Sequence, residues 1–313
     1  VPARRPDERH PSFLGLDGAH ARLRSSRVLV WPVPYEVTVS YGGGTCEGPA
    51  AILAASQEVE LYDARAGCEP ATRFGVHTLP AAEFDASEPE RTVERLTREA
   101  RRLVRTGKLL CTLGGEHTVS LAPIAALAGR HPELLVVQID AHADLRNTWD
   151  GTPYSHACVM RRALERLGGA RLPDGRPRLV QVGLRNVSAE GARFAKRHRI
   201  PAFHKDGDFS LADALSVIRE AAAGRPVYLT LDLDGLDPAI MPATGTPEPD
   251  GLSWGEALAV AEAITTSGRL IGFDLVELAP IPGLHAPDFL AAKLAYRIMI
   301  LALGRRASRR RAR

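Results

Sequence analysis

The chain has 313 residues, 45% of them hydrophobic and 25% charged, enough for a full core and ordinary for a globular protein. No apolar run reaches membrane-spanning length, and the polar, Pro-rich start "VPARRPDERHPSFLG" does not read as a signal peptide, so no membrane partner is expected. The formal charge of +3 is uneven: residues 305–313 hold six arginines, which leaves −3 for the rest. That tail is expected to be a disordered, solubilising end appended to a single domain over residues 1–304. Nucleic-acid binding is not expected, the tail being the one place that could offer it, since no aromatic platform accompanies the charge. Cys46, Cys68, Cys111 and Cys158 are scattered without C-x-x-C spacing, and a reducing cytoplasm is the simplest home.

Along the chain a short apolar run, a Gly- or acid-bearing turn and a helical stretch recur. "RVLVWPVPY" from Arg27 opens the pattern, followed by the Gly-rich "SYGGGTCEGP" and a helical "AAILAASQEVELYD". Leu96, Ala100 and Leu103 share one face of a helix over Glu90 to Arg105, which leads into the strand-like "KLLCTLGGEHT". A helix over Ser120 to Leu127 precedes "ELLVVQIDAH"; one over Met160 to Leu167 precedes "RLVQVGLRN". Leu211 to Ala223 leads to "PVYLTLDLDGLD", Ser253 to Thr266 to "RLIGFDLVELAP", and Asp288 to Leu303 closes the series. Near-continuous apolar runs suit parallel strands covered on both faces. The expected fold is therefore α/β, with three layers. Pro238 to Gly251 reads as a long loop, either an exposed insertion or an active-site wall.

Ligands of open parallel sheets gather beyond the carboxyl ends of the strands. There the chain places His117; Asp140, His142 and Asp144; Asp232, Asp234 and Asp237; and Asp274 and Glu277. In extended backbone the D-x-H-x-D residues would share one side, as would Asp232 and Asp234. Carboxylates crowded in an apolar setting repel, and divalent cations are the simplest compensation. Four negative charges on Asp140, Asp144, Asp232 and Asp234 match two such ions, with His117 and His142 as further ligands. The oxygen-rich donor set favours manganese-like coordination. Either D-x-H-x-D or D-x-D alone would also fit a solvated loop or a turn. Finding both after strands, with "GGEH" after a third, favours metal.

Through "GGEHTVS", "DAHADLR", "SHA", "DLDGLDPAIMPATGTPEPDGLS" and "GFDLVELAP", between about Pro34 and Pro280, the chain resembles the ureohydrolases, the family of arginase, agmatinase and related guanidino-compound hydrolases. The resemblance implies an arginase-like α/β/α fold with a mostly parallel, eight-stranded sheet, two Mn²⁺ per subunit, and trimers or hexamers. It implies His117, Asp140, Asp144 and Asp232 as ligands of one ion and Asp140, His142, Asp232 and Asp234 as ligands of the second. Many members have Asp where this chain has Glu116.

Two nearby cations can acidify one water, and no nucleotide fingerprint points to redox chemistry, so hydrolysis is the economical reaction. The resemblance implies attack on a guanidinium carbon, releasing urea and an amine. In that scheme Asp144 orients the nucleophile, Glu277 clasps the guanidinium and His156 carries the proton to the leaving amine. Thr246 lies in the wall loop. Trp149, Tyr154 and Asp150 suggest a site for a cationic substrate tail. The arginase pattern of carboxylate donors is incomplete, with Asn147 as one candidate, and the early "PYEVTVSYGGGTCEGPAAILAASQEVELYD" looks agmatinase-like, whereas "PATGTP" is more arginase-like. Agmatine is the favoured substrate, with arginine, guanidinobutyrate and aminopropylagmatine open; a metal-stabilised nucleic-acid-associated protein is the non-enzyme alternative.

Overall fold

A computed structural model of the chain describes residues 11–84 and 88–304. The first ten residues and the arginine-rich 305–313 lie outside these, and with them the expectations of a Pro-rich segment and a disordered tail. Eight strands, β1 Val28–Val33, β2 Val76–Thr78, β3 Leu109–Gly114, β4 Leu135–Ile139, β5 Leu179–Leu184, β6 Ala202–His204, β7 Pro226–Asp232 and β8 Arg269–Val276, form one sheet. Its order is β2-β1-β3-β8-β7-β4-β5-β6, and every pairing is parallel. The helices between them are α1 Gly18–Ala21, α2 Gly48–Ala55, α3 Pro70–Phe74, α4 Pro89–Val104, α5 Leu121–Ala128, α6 Val159–Arg166, α7 Ala189–His198, α8 Leu211–Ala222, α9 Trp254–Ser267 and α10 Ala286–Leu303.

Side chains alternate across the strands, so each apolar run feeds two cores. Leu135, Val137 and Ile139 of β4 join Val227, Leu229 and Leu231 of β7 under α2, α8, α9 and α10. Val136 and Tyr228 face the other way, against α4, α5 and α6. Three layers result because neither face of the sheet can be left in water. Helix starts follow local chemistry: Ser253 caps α9 in a reciprocal box with Glu256, and Ser188 and Ser210 cap α7 and α8.

Three features depart from the sequence reading. The helix expected over "AAILAASQEVELYD" ends at Ala55, with only a short 3₁₀ turn, Ser56–Glu58, beyond it. Edge strands β2 and β6, three residues each, are too short for any periodicity to register. Helix α7 also went unanticipated; its run "AEGARFAKRH" buries only Gly191. Among the described residues no helix is long and apolar enough to cross a membrane.

The chain leaves β3 for β4 across a gap that β8 and β7 later fill. Consequently the carboxyl ends of β3, β8, β7 and β4 stand side by side at the middle of the sheet, where the connections diverge.

Candidate active site

Those four ends bring the acidic motifs together. His117 Nδ1 lies 3.1 Å from Asp140, 3.0 Å from Asp144 and 3.2 Å from Asp232. His142 Nδ1 lies 3.0 Å from Asp234 and 3.6 Å from Asp140. Two clusters with metal-ligating geometry emerge, His117–Asp140–Asp144 and Asp140–His142–Asp234, sharing Asp140. Strand alternation is not what converges them, contrary to the sequence expectation. Strand β4 stops at Ile139, Asp144 takes the left-handed φ of 52°, and Asp234 sits in a 3₁₀ turn after β7. A Cβ on Gly235 would come within 2.7 Å of the Asp140 backbone nitrogen, so only glycine lets the two acid-bearing segments pack backbone to backbone.

Three of the four carboxylates are oriented by neighbouring donors. Asp140 accepts from the His142 backbone N–H at 2.6 Å and from Gln138 Nε2 at 2.6 Å. Asp234 Oδ1 accepts from the Ala141 N–H, and Asp232 Oδ1 from the Asp234 N–H. Behind His117, Thr230 donates to Asp274 Oδ1 at 2.8 Å, so its oxygen is left to accept from His117 Nε2–H at 2.8 Å. That tautomer turns the Nδ1 lone pair toward the carboxylates. Nδ1 is buried and in hydrogen-bonding alignment with no group, which is the expected environment of a metal-ligating nitrogen.

The electrostatics agree. Burial, then the charge of Asp140, pushes the Asp144 carboxyl up to about 6. Burial with Asp234 and Asp140 drives Asp232 well above its usual range. Asp140 itself is held low: burial opposes ionisation, but the neighbouring His117 and His142 imidazoles outweigh it. His142 is pushed up to about 12, the attraction of Asp234 and Asp140 exceeding the effect of burial. Acids sharing two imidazoles behave this way, one staying ionised while its neighbours take up protons. Divalent cations would relieve that competition.

A cavity of about 220 Å³ opens over the cluster, lined by His142, Asp144, Asp232, Asp234, His156 and Glu277 among others. Comparison with known proteins agrees with this geometry: a model described as the arginase family matches residues 26–301. The chain belongs to the arginase family. An N(1)-aminopropylagmatine ureohydrolase of Synechocystis sp. is 38% identical over 280 residues, 87% of this chain and 88% of that one. An agmatinase of Bacillus cereus is 32% identical over 266 residues, covering 84% and 87%. The crystal structure of agmatine ureohydrolase of Thermoplasma volcanium superposes with a TM-score of 0.82, covering 96% of both chains at 27% identity.

Around the cavity of this arginase-family enzyme the other predicted residues separate. Glu277 follows β8 with a left-handed φ of 66°, a strained setting for a non-glycine residue, and accepts from the His117 backbone N–H at 2.7 Å. Burial first, then Glu116, raises its carboxyl well above the usual range. Thr246 lines the cavity and donates to Asp234 Oδ2 at 3.3 Å. The Pro238 to Gly251 loop is thus a wall of the site. Trp149 lines the cavity too, but the Arg146 guanidinium sits 4.3 Å from its ring centre. Tyr154 donates instead to Glu90, and Asp150 is not among the lining residues; it sits in an exposed turn with φ 49°. Of the three residues suggested for a tail site, Trp149 lines the cavity and Tyr154 and Asp150 do not.

Asp237 accepts from the Ala239 and Gly251 N–H groups and ties the wall loop to itself. The supporting roles of two residues escaped the sequence reading. Arg185 donates to the carbonyls of Asp234, Glu248 and Pro249 at 2.6, 2.7 and 2.8 Å, fastening the wall loop behind the cluster. Glu116, fully buried, reaches from the end of β3 to the loop at Val37 and Thr38. No local signal marks either, because their partners are distant in sequence.

Proposed function

We propose that this ureohydrolase cleaves a guanidino compound carrying an aliphatic amine tail, releasing urea and an amine. The observation that carries the reading is the pair of ligand clusters sharing Asp140 at the floor of one cavity. His117, Asp140, Asp144 and Asp232 would hold one divalent cation, and Asp140, His142, Asp232 and Asp234 the other, with manganese favoured by the donor set. Bound there, the cations supply the positive charge that makes water acidic enough to act as nucleophile near neutral pH.

The side chains do the rest. Asp144 aims the nucleophile. Glu277, at the cavity wall, grips the guanidinium through planar, paired hydrogen bonds. His156 gives a proton to the amine nitrogen as the carbon–nitrogen bond breaks. Thr246 and Trp149 bound the substrate on the wall side.

Two observations favour an amine tail over an amino-acid tail. Asn147, the candidate carboxylate donor, is not among the residues lining the cavity, and its side-chain Oδ1 is turned to Arg162, from which it accepts at 2.9 Å. Relatives named N(1)-aminopropylagmatine ureohydrolase share 38, 36 and 36% identity, against 31–32% for those named agmatinase. This moves the preference from agmatine toward N(1)-aminopropylagmatine. Urea release by the manganese-loaded protein should give the highest kcat/KM for one of these two, above arginine and 4-guanidinobutyrate. Arginine in first place would overturn the substrate assignment. Self-association as a trimer or hexamer is part of the same reading, checked by light scattering.

A further inference from the structure

Loop Glu36–Ser40 meets His156 across 118 residues of sequence, and the contacts close a hydrogen-bond account. Thr38 Oγ1 donates to Glu116 Oε1 at 2.7 Å. Glu116 accepts as well from the Val37 and Thr38 N–H groups and from Thr118 Oγ1, at 2.5, 2.6 and 2.5 Å. The hydroxyl of Thr38 has one hydrogen, and it is committed to the carboxylate. Its two lone pairs face the His156 backbone N–H at 3.1 Å and His156 Nδ1 at 3.2 Å. Nδ1 must then carry a hydrogen. The other tautomer would set two lone pairs against each other at 3.2 Å. Ser155 Oγ, 3.3 Å from the same nitrogen, serves as a second acceptor. With Nδ1 protonated, Nε2 is the basic nitrogen, and it receives the hydroxyl of Ser40 at 2.9 Å. Ser40 and His156 both line the cavity.

We propose that Glu116 and Thr38 fix His156 as the Nδ1–H tautomer, so that proton exchange with substrate runs through Nε2, with Ser40 as its switching partner. The inference rests on the proposed role of His156 as proton donor. A serine hydroxyl can donate to neutral Nε2 and, once that nitrogen is protonated, rotate to accept from it. Ser40 thereby matches both states of the ring. When Nε2–H passes its proton to the leaving amine, the Nε2 lone pair returns to the Ser40 hydroxyl. A fresh proton reaches the ring from cavity water. Glu116, Thr38 and Ser40 are positioning residues, acting through His156.

The test uses manganese-loaded full-length protein with variants Thr38→Val, Thr38→Ser, Ser40→Ala and His156→Gln, each matched to wild type for metal content and circular dichroism. Thr38→Val should lower kcat about 100-fold with KM little changed, by loss of the productive tautomer. Thr38→Ser should restore most of it, and Ser40→Ala should cost about tenfold in kcat. A second readout is independent of turnover. ¹⁵N spectra of histidine-labelled protein prepared without manganese, whose unpaired electrons would broaden nearby signals, with the His156 signals assigned by their absence in His156→Gln, should show Nδ1 protonated and Nε2 bare. In Thr38→Val both tautomers should appear. A bare Nδ1 in wild type, or Thr38→Val and Ser40→Ala turning over like wild type while His156→Gln is inactive, would overturn the inference. Full activity in His156→Gln would instead overturn the role given to His156, leaving the spectra to decide the tautomer.

Discussion

Charge is buried at both ends of this sheet, in opposite ways. At the amino end Arg225, 1% exposed, donates to the carbonyls of Glu133, Pro177 and Ala221 at 2.8 to 2.9 Å, with no carboxylate in its ring of acceptors. Neutral backbone groups of the chain satisfy it, and burial followed by Arg176 and Arg178 merely lowers it to about 10. At the carboxyl end Asp140, Asp144, Asp232 and Asp234 are buried too, but besides neutral donors the described residues set only two imidazoles against their four negative charges. A buried charge whose partners all lie in the fold is structural. Like charges left short of partners mark where something from outside binds.

That contrast is most directly broken at Asp232. Asp232→Asn should lower metal occupancy and urea release together, the latter by about three orders of magnitude, because the acidification of water goes with the metal. Metal content by atomic emission and initial rates on the same sample decide it. Full occupancy with lost turnover would assign Asp232 a role other than ligation. Next in size is the structural counterpart: Arg225→Met should cost about 3 kcal/mol of stability by stranding buried carbonyls, yet leave kcat per folded molecule unchanged. Denaturant unfolding and active-site titration separate the two.

Why one end could be foreseen and the other not follows from the range of the interactions. The D-x-H-x-D and D-x-D motifs end apolar runs, so local sequence announces both the strands and the acids beyond them. Their convergence depends on β8 and β7 being inserted between β3 and β4, which no local pattern encodes. The left-handed φ angles of Asp144 and Glu277 are imposed by what surrounds them, against the ordinary preference of those residues. Arg225 looked like any residue between a helix and a strand, and Thr38 gains its meaning only from Glu116 and His156.

Smaller effects sharpen the comparison within the site. Glu277→Gln should keep both metals while lowering kcat/KM about thirtyfold, the loss of one charged hydrogen-bonding partner to the guanidinium, roughly 2 kcal/mol. Metal binding should also tighten with pH, because the ions displace protons. His142, pushed up to about 12, surrenders one throughout the working range, and Asp232, driven well above its usual range, adds to the gain, so affinity should rise at least about tenfold per pH unit. Asp144 surrenders a further proton only below about 6, so the dependence should be steeper there. Calorimetric titrations with manganese at pH 5.5, 6.5 and 7.5 read both slopes; an affinity flat with pH would contradict the crowded, proton-sharing cluster.

The smallest effect belongs to the amino end. Leu301, Ala302 and Leu303 of α10 line a cavity with Arg27, Lys108 and Arg269, beside the starts of β1, β3 and β8. The six arginines of residues 305–313 therefore follow a helix that ends on the side of the sheet away from the carboxylates. Deleting Arg305 to Arg313 should change kcat/KM by less than about twofold at physiological ionic strength. A large loss at unchanged metal content and folding would mean that the basic end takes part in turnover, and the division of labour between the two ends would fail.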